Sequence, residues 1–131
     1  MEIVVIDGQG GGMGRNIIEA LKKEFKDIFI IGVGTNTTAT NNMKKGGADA
    51  IATGENAVVY NAKNASIIIG PIGIAFANSM YGEISPMMAE AISASDAKKY
   101  FIPVSKSNVY VAGASAMTIG DYIADIINQL K

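Results

Sequence analysis

The feature that most constrains this chain is a change of texture across its opening residues. Ile3, Val4, Val5 and Ile6 make a β-branched run that is apolar on both faces, the mark of a strand buried within a sheet. The run stops at Asp7, and five glycines follow within seven positions: Gly8, Gly10, Gly11, Gly12 and Gly14. Beyond them Ile17, Ile18, Leu21 and Phe25 recur at helical spacing, opposite Arg15, Asn16, Glu19, Lys22 and Lys23. Strand, glycine turn and helix in this order aim free backbone N–H groups and the positive end of a helix dipole at an anion.

The same alternation continues along the chain. Strands are predicted over residues 2–6, 28–33, 48–52, 66–69, 100–104 and 109–112, and helices over 13–25, 38–45, 55–62, 86–93 and 119–130. Thr118 is placed to cap the last helix, Ser85 before Pro86 to open the fourth, and Gly46 to close the second. Alternating strands and helices imply an α/β, three-layer fold, with a mainly parallel sheet of five or six strands and helices on both faces. The connection from Val104 to a strand at 109–112 is too short for a parallel crossover, so that last strand can instead pair antiparallel. At 131 residues the chain fits a single domain spanning 1–131.

Composition excludes several classes of function. There is no cysteine and no histidine, which removes disulfides, thiol nucleophiles, imidazole bases and the usual zinc, copper or haem ligation; no metal site is expected. Net charge is −1 with scattered lysines, so no footprint for nucleic acid or anionic lipid is visible. The most membrane-like stretch, 65–80, is interrupted by Gly70, Pro71, Gly73 and Asn78 and falls short of a span; a cytoplasmic protein is expected. A hydrophobic share of 49% beside 18% charged residues leaves apolar surface for another subunit, so a homo-oligomer is expected.

In an open α/β sheet, loops that follow strands gather at one end, where ligands bind at the switch point of the strand order. Here the loops that follow helices are charged, whereas those that follow strands are rich in Gly, Thr, Asn and Ser. The second group comprises 7–14, 34–38, 53–56, 70–73 and 105–108. From it we take the candidate ligand-binding residues Gly8, Gln9, Gly10, Gly11, Gly12, Met13, Gly14, Thr35, Asn36, Thr37, Gly70, Pro71 and Ile72. The plain alternative is that these residues only cap helices and make turns.

A nucleotide-triphosphate loop of the form G-x-x-x-x-G-K-[ST] fails here: Gln9 replaces the first glycine, Arg15 the lysine and Asn16 the hydroxyl residue. Strict G-x-G-x-x-G fails at Met13. Gly8, Gly12 and Gly14 do form G-x-x-x-G-x-G, which resembles the first turn of short-chain dehydrogenases/reductases over about the first 25 residues. That resemblance implies that Gly8 opens the turn, Gly12 admits a pyrophosphate and Gly14 permits close packing of helix on strand. The family's Tyr-x-x-x-Lys pair is missing, and Gly34-Thr35-Asn36-Thr37 stands where an acidic ribose ligand would end the second strand. Nucleotide binding survives, with NAD and NADP both open as cofactors and reductase chemistry disfavoured. Asp7 would repel a phosphate unless it bonds loop N–H groups or a magnesium ion; the Asx-type bond is the preferred reading.

The whole chain also resembles a family of short bacterial proteins classed as a domain of unknown function. The matching phrases are Ile-Asp-Gly-Gln-Gly-Gly-Gly (6–12), Val-Gly-Thr-Asn (33–36), Ala-Thr-Gly-Glu-Asn-Ala (52–57) and Gly-Pro-Ile-Gly-Ile (70–74). Ala-Asn-Ser-Met (77–80), Gly-Glu-Ile-Ser-Pro-Met-Met-Ala-Glu-Ala-Ile (82–92), Ile-Pro-Val (102–104) and Tyr-Val-Ala-Gly (110–113) extend it. The resemblance implies a Rossmann-like domain and brings no catalytic residue.

Acid–base work would fall to Glu55, Glu83, Asp7, Lys106 or a tyrosine. Glu55 suits the first turn of a helix for electrostatic reasons alone. Glu83 and Asn78 lie in a polar patch within an apolar stretch, which is costly unless the patch bonds to itself, a ligand or a subunit. Lys106 is the one cation of the strand-end loops apart from Arg15, and Met80, Met87, Met88 and Met117 read as packing. Three functions are open: a nucleotide-binding sensor or accessory subunit; an enzyme acting on a phosphorylated or anionic small molecule with Glu83, Asn78 or Lys106 assisting; and a structural homo-oligomer.

Overall fold

The computed structural model describes residues 1–104, 108–114 and 117–131. Five strands, β1 (Glu2–Asp7), β2 (Phe29–Gly34), β3 (Ala50–Thr53), β4 (Ile67–Pro71) and β5 (Lys98–Ile102), form one sheet in the order β3-β2-β1-β4-β5. Every pairing is parallel. The helices are α1 (Gly12–Glu24), α2 (Thr37–Lys45), α3 (Glu55–Asn64), α4 (Pro86–Ser93) and α5 (Ile119–Leu130), with a 3₁₀ turn at Ile72–Ala75. This is the doubly wound order of the Rossmann fold, with the first strand central and the chain reversing direction beside it.

The apolar run of β1 explains its central place. Ile3 and Val5 point into one core with Ile17, Ile18 and Leu21 of α1, Met43 of α2 and Tyr122, Ile123 and Ile126 of α5. Val4 and Ile6 point into the other, with Val58 and Ala62 of α3 and Met88, Ala89 and Ile92 of α4. A strand covered on both faces has no solvent side on which to place a polar residue, so β1 reads as a continuous apolar run.

The caps follow the sequence closely. Thr118 and Asp121 form a reciprocal capping box on α5. Ser85 accepts from the Met88 N–H with Pro86 at the start of α4, and Gly46 ends α2. Residues 109–112 form no strand, so among the described residues the sheet has five strands and not six. Val109, Tyr110 and Val111 are apolar enough for a strand, but they lie in the connection between β5 and α5. Residue 48 precedes β3 rather than opening it: β3 pairs with β2 from Ala50, and Asp49 just before it donates its N–H to Ile30 O and accepts the Ile30 N–H through Oδ2.

Candidate functional site

β1 pairs with β2 on one side and β4 on the other, so the strand order reverses between β1 and β4. A cavity of about 440 Å³ opens there, at the carboxyl ends of the strands. One wall is the glycine loop, Asp7 through Met13; the other comprises Pro71, Gly73, Asn78, Ser79, Met80, Tyr81 and Val104.

Local chemistry fixes the shape of the loop. Asp7, buried at the end of β1, accepts the Gly8 N–H at 2.8 Å through Oδ1 and the Gly14 N–H at 2.7 Å through Oδ2. The Asx-type reading of Asp7 therefore holds, and it extends further: the carboxylate also caps α1, whose N-cap Gly11 offers no side chain. Burial pushes the Asp7 carboxyl above its usual value, the two N–H groups oppose that, and the nearby Glu83 charge adds to the rise.

The glycines divide into two kinds. Gly11 is left-handed at φ 72°, and a Cβ there would lie 2.6 Å from Ala39 Cα of α2. A Cβ on Gly14 would press on Met43 and Asp7, and one on Gly8 on Met80 and Thr35. Gly11 is required by backbone contact and conformation, and Gly8 and Gly14 are closely packed against side chains. Around Gly10 and Gly12 a Cβ would meet nothing within 4 Å, and neither has a positive φ. Both border the cavity, and among the described residues the N–H groups of Gly10, Gly12 and Met13 have no acceptor.

Glu83 joins the loops. Its Oε1 accepts from the Gln9 N–H at 2.9 Å, Thr35 Oγ1 at 2.6 Å and Asn36 Nδ2 at 2.9 Å. Burial pushes its carboxyl up, but these hydrogen bonds from Thr35, Gln9 and Asn36 outweigh burial and hold it below the usual glutamate value. Asn36 Nδ2 also donates to Gln9 O at 2.9 Å, while its Oδ1 caps α2 by accepting from Ala39 N–H. Glu83 is carried on a tightly wound turn: Ser79 Oγ donates to Gly73 O, and Asn78 N–H donates to Ile84 O at 2.7 Å. Asn78, Met80 and Tyr81 all have left-handed backbones, and Tyr81 is 96% exposed at the cavity rim. Such conformations cost about 1 kcal/mol or more for residues with a side chain and persist only where surrounding bonds impose them.

Of the sequence-derived candidates, Gly8, Gln9, Gly10, Gly11, Gly12, Met13, Pro71 and Asn78 border the cavity. Gly14 lies beneath it. Thr35 and Asn36 are drawn to the loop through Glu83 but do not line the space, and Thr37 is exposed on the first turn of α2. Gly70 is pressed against Ile6 O in the sheet, and Ile72 belongs to the 3₁₀ turn. Lys106 lies outside the described residues. Gly73, from the loop 70–73, and Ser79 and Tyr81, from the polar patch 78–83, also border the cavity, as do Met80, expected only to pack, and Val104, which no sequence signal marks.

Fold and site together define a small Rossmann-like α/β protein whose glycine loop borders a cavity at the reversal of its strand order. The chain belongs to the family described as a domain of unknown function, DUF3842, whose model matches residues 2–131. No curated protein matches it in sequence. Among solved structures it is similar to the dodecameric FMN-dependent UbiX-like decarboxylase of Escherichia coli O157:H7, at 13% identity over 99% of this chain and 94% of that one, with a TM-score of 0.48. A likeness so distant bears on neither ligand nor reaction. Among the described residues no helix is long and apolar enough to cross a membrane.

Proposed function

We propose that this protein binds a small nucleotide-type molecule, seating a phosphate on the N–H groups of Gly10, Gly12 and Met13 and the remainder in the adjoining cavity. One observation carries the reading: glycine stands at 10 and 12 where neither packing nor backbone conformation requires it, beside free donors and open space. Glycine there lets a ligand approach the backbone closely. Among the described residues the bordering side chains include no cation, and the donors at the proposed seat are those of the main chain.

The arrangement favours holding a ligand over turning one over. Glu83 does not border the cavity, and both oxygens of Asp7, which does, accept loop N–H groups, so neither carboxylate is placed to collect a proton from a bound molecule. The test is a melting-temperature screen with AMP, NMN, FMN, NAD, NADP, FAD, ATP and inorganic phosphate, repeated on Gly12→Leu. A phosphate compound should raise the midpoint of the native protein, and Gly12→Leu should abolish that rise while melting normally. No shift with any compound would refute the reading. Exposed Phe29, Ile51, Tyr60 and Met87 offer apolar surface for self-association, and a homo-oligomer sediments faster than a monomer at micromolar concentration; monomer alone would refute it.

A further inference from the structure

We infer that the site accepts a ligand on one side only: it takes a mononucleotide-type phosphate monoester and excludes dinucleotides, with Glu83 and Met80 as the groups that enforce the limit. The inference rests on the phosphate seat proposed above and deepens it by fixing the size of the ligand.

A dinucleotide on a doubly wound sheet lies across the reversal of strand order, one nucleoside on the β4 side and the other along the end of β2, where a ribose is held. In this protein the two sides differ completely. Toward β4 the cavity is open, bordered by Pro71, Asn78 and Tyr81. Toward β2 the cavity does not extend, and no residue of β2 or α2 borders it. Glu83 Oε1 fills the gap between the loop and the tip of β2, bonded to both Gln9 and Thr35. Met80 Sδ and Thr35 Oγ1 crowd Gly8 so closely that an added Cβ would lie 2.7 and 2.8 Å from them.

Around Glu83 and Met80 the loop is also tied to α2. Asn36 Nδ2 ties the start of α2 to Gln9 O, Asn42 Nδ2 donates to Gly10 O at 2.9 Å, and Gly11 packs directly on the Ala39 backbone. Loop and α2 are thus docked against each other along the path that a second nucleoside would follow. A ribose entering at the end of β2 would have to displace Glu83 Oε1, which is held between the loop and β2 by three hydrogen bonds. Admitting it means breaking those bonds as well as moving Met80.

The experiment compares matched pairs by calorimetry on the full chain: AMP and NMN against NAD, and AMP and FMN against FAD. At least one monoester should bind, and every dinucleotide that contains it should bind about tenfold more weakly or worse. A dinucleotide that binds as tightly as its monoester overturns the inference while leaving the phosphate seat intact. Binding by none of these compounds, nor by inorganic phosphate, overturns both. Glu83→Ala should narrow the gap between monoester and dinucleotide, and Glu83→Gln, which keeps an acceptor in place, should preserve it. An unchanged gap in folded Glu83→Ala would refute Glu83 as the blocking group. Since the native protein alone decides between monoester and dinucleotide, the inference stays testable even where a variant fails to fold.

Discussion

Replacing Asp7 tests the account of the glycine loop most directly. In Asp7→Ala the N–H groups of Gly8 and Gly14, both in buried hydrogen bonds, lose their acceptor. A buried donor left unsatisfied costs about 1–3 kcal/mol, so two cost roughly 2–6 kcal/mol. Against this, the native carboxylate is disfavoured by burial and by the Glu83 charge, so its removal returns part of the loss. The expected net destabilisation is about 2–4 kcal/mol, or roughly 6–12 °C in melting temperature for a domain of this size. Asp7→Asn keeps one acceptor oxygen and turns an NH₂ toward the second donor, so it should fall near half of that. Urea unfolding at neutral pH, with the slope checked for constancy, measures both. If Asp7→Ala lies within about 0.5 kcal/mol of the native protein, the two N–H groups are reaching water, and the loop is not organised by this carboxylate.

The glycines should separate in the same assay. Gly11→Ala, which combines a left-handed φ with a backbone clash at Ala39, should cost more than about 2 kcal/mol, whereas Gly12→Ala should change stability by less than about 1 kcal/mol. Equal effects would show that the loop geometry is wrong. Glu83 supplies a pH dependence of definite sign. Its folded carboxyl titrates below the ordinary 4.5, so its stabilisation is present above that pH and is lost as pH falls through the folded value. Native protein should therefore lose more stability than Glu83→Gln between pH 5 and about 3, and parallel curves would refute the hydrogen-bonded carboxylate. Asp7, raised by burial, acts in the opposite sense: stability present below 3.8 is lost as pH rises through its folded value.

Most of the scaffold was legible because its signals are local. The apolar run 3–6, the caps at Ser85 and Thr118 and the glycine turn each specify backbone geometry within a few residues, and strand–helix alternation then restricts the topology. The strand expected at 109–112 does not form, because apolar β-branched residues also occur in connections, and composition does not separate the two. In the site, the polar patch around Glu83 was visible as an anomaly in an apolar stretch. Its partners were not, since Gln9 lies 74 positions away and Thr35 lies 48 away, and only the parallel topology brings all three to one end. The division of the glycines was equally hidden. Nothing in the letters distinguishes Gly11, required by Ala39, from Gly12, which touches nothing.

The central position of β1 also sets an order of assembly. Ile3 meets Ile30 on one side, but Val4 meets Ile68 on the other. Closing the longer segment costs about 0.8 kcal/mol more from its length alone, so the β1–β2 half is the cheaper one to nucleate. The turn that carries Glu83 arrives later, behind β4, and the cavity does not exist until it does. A molecule bound there spans both halves, the glycine loop behind β1 and the wall behind β4, and grips the protein fully only when both are in place. It should slow unfolding far more than it speeds folding, and so prolong the lifetime of the folded chain while leaving its birth rate nearly unchanged.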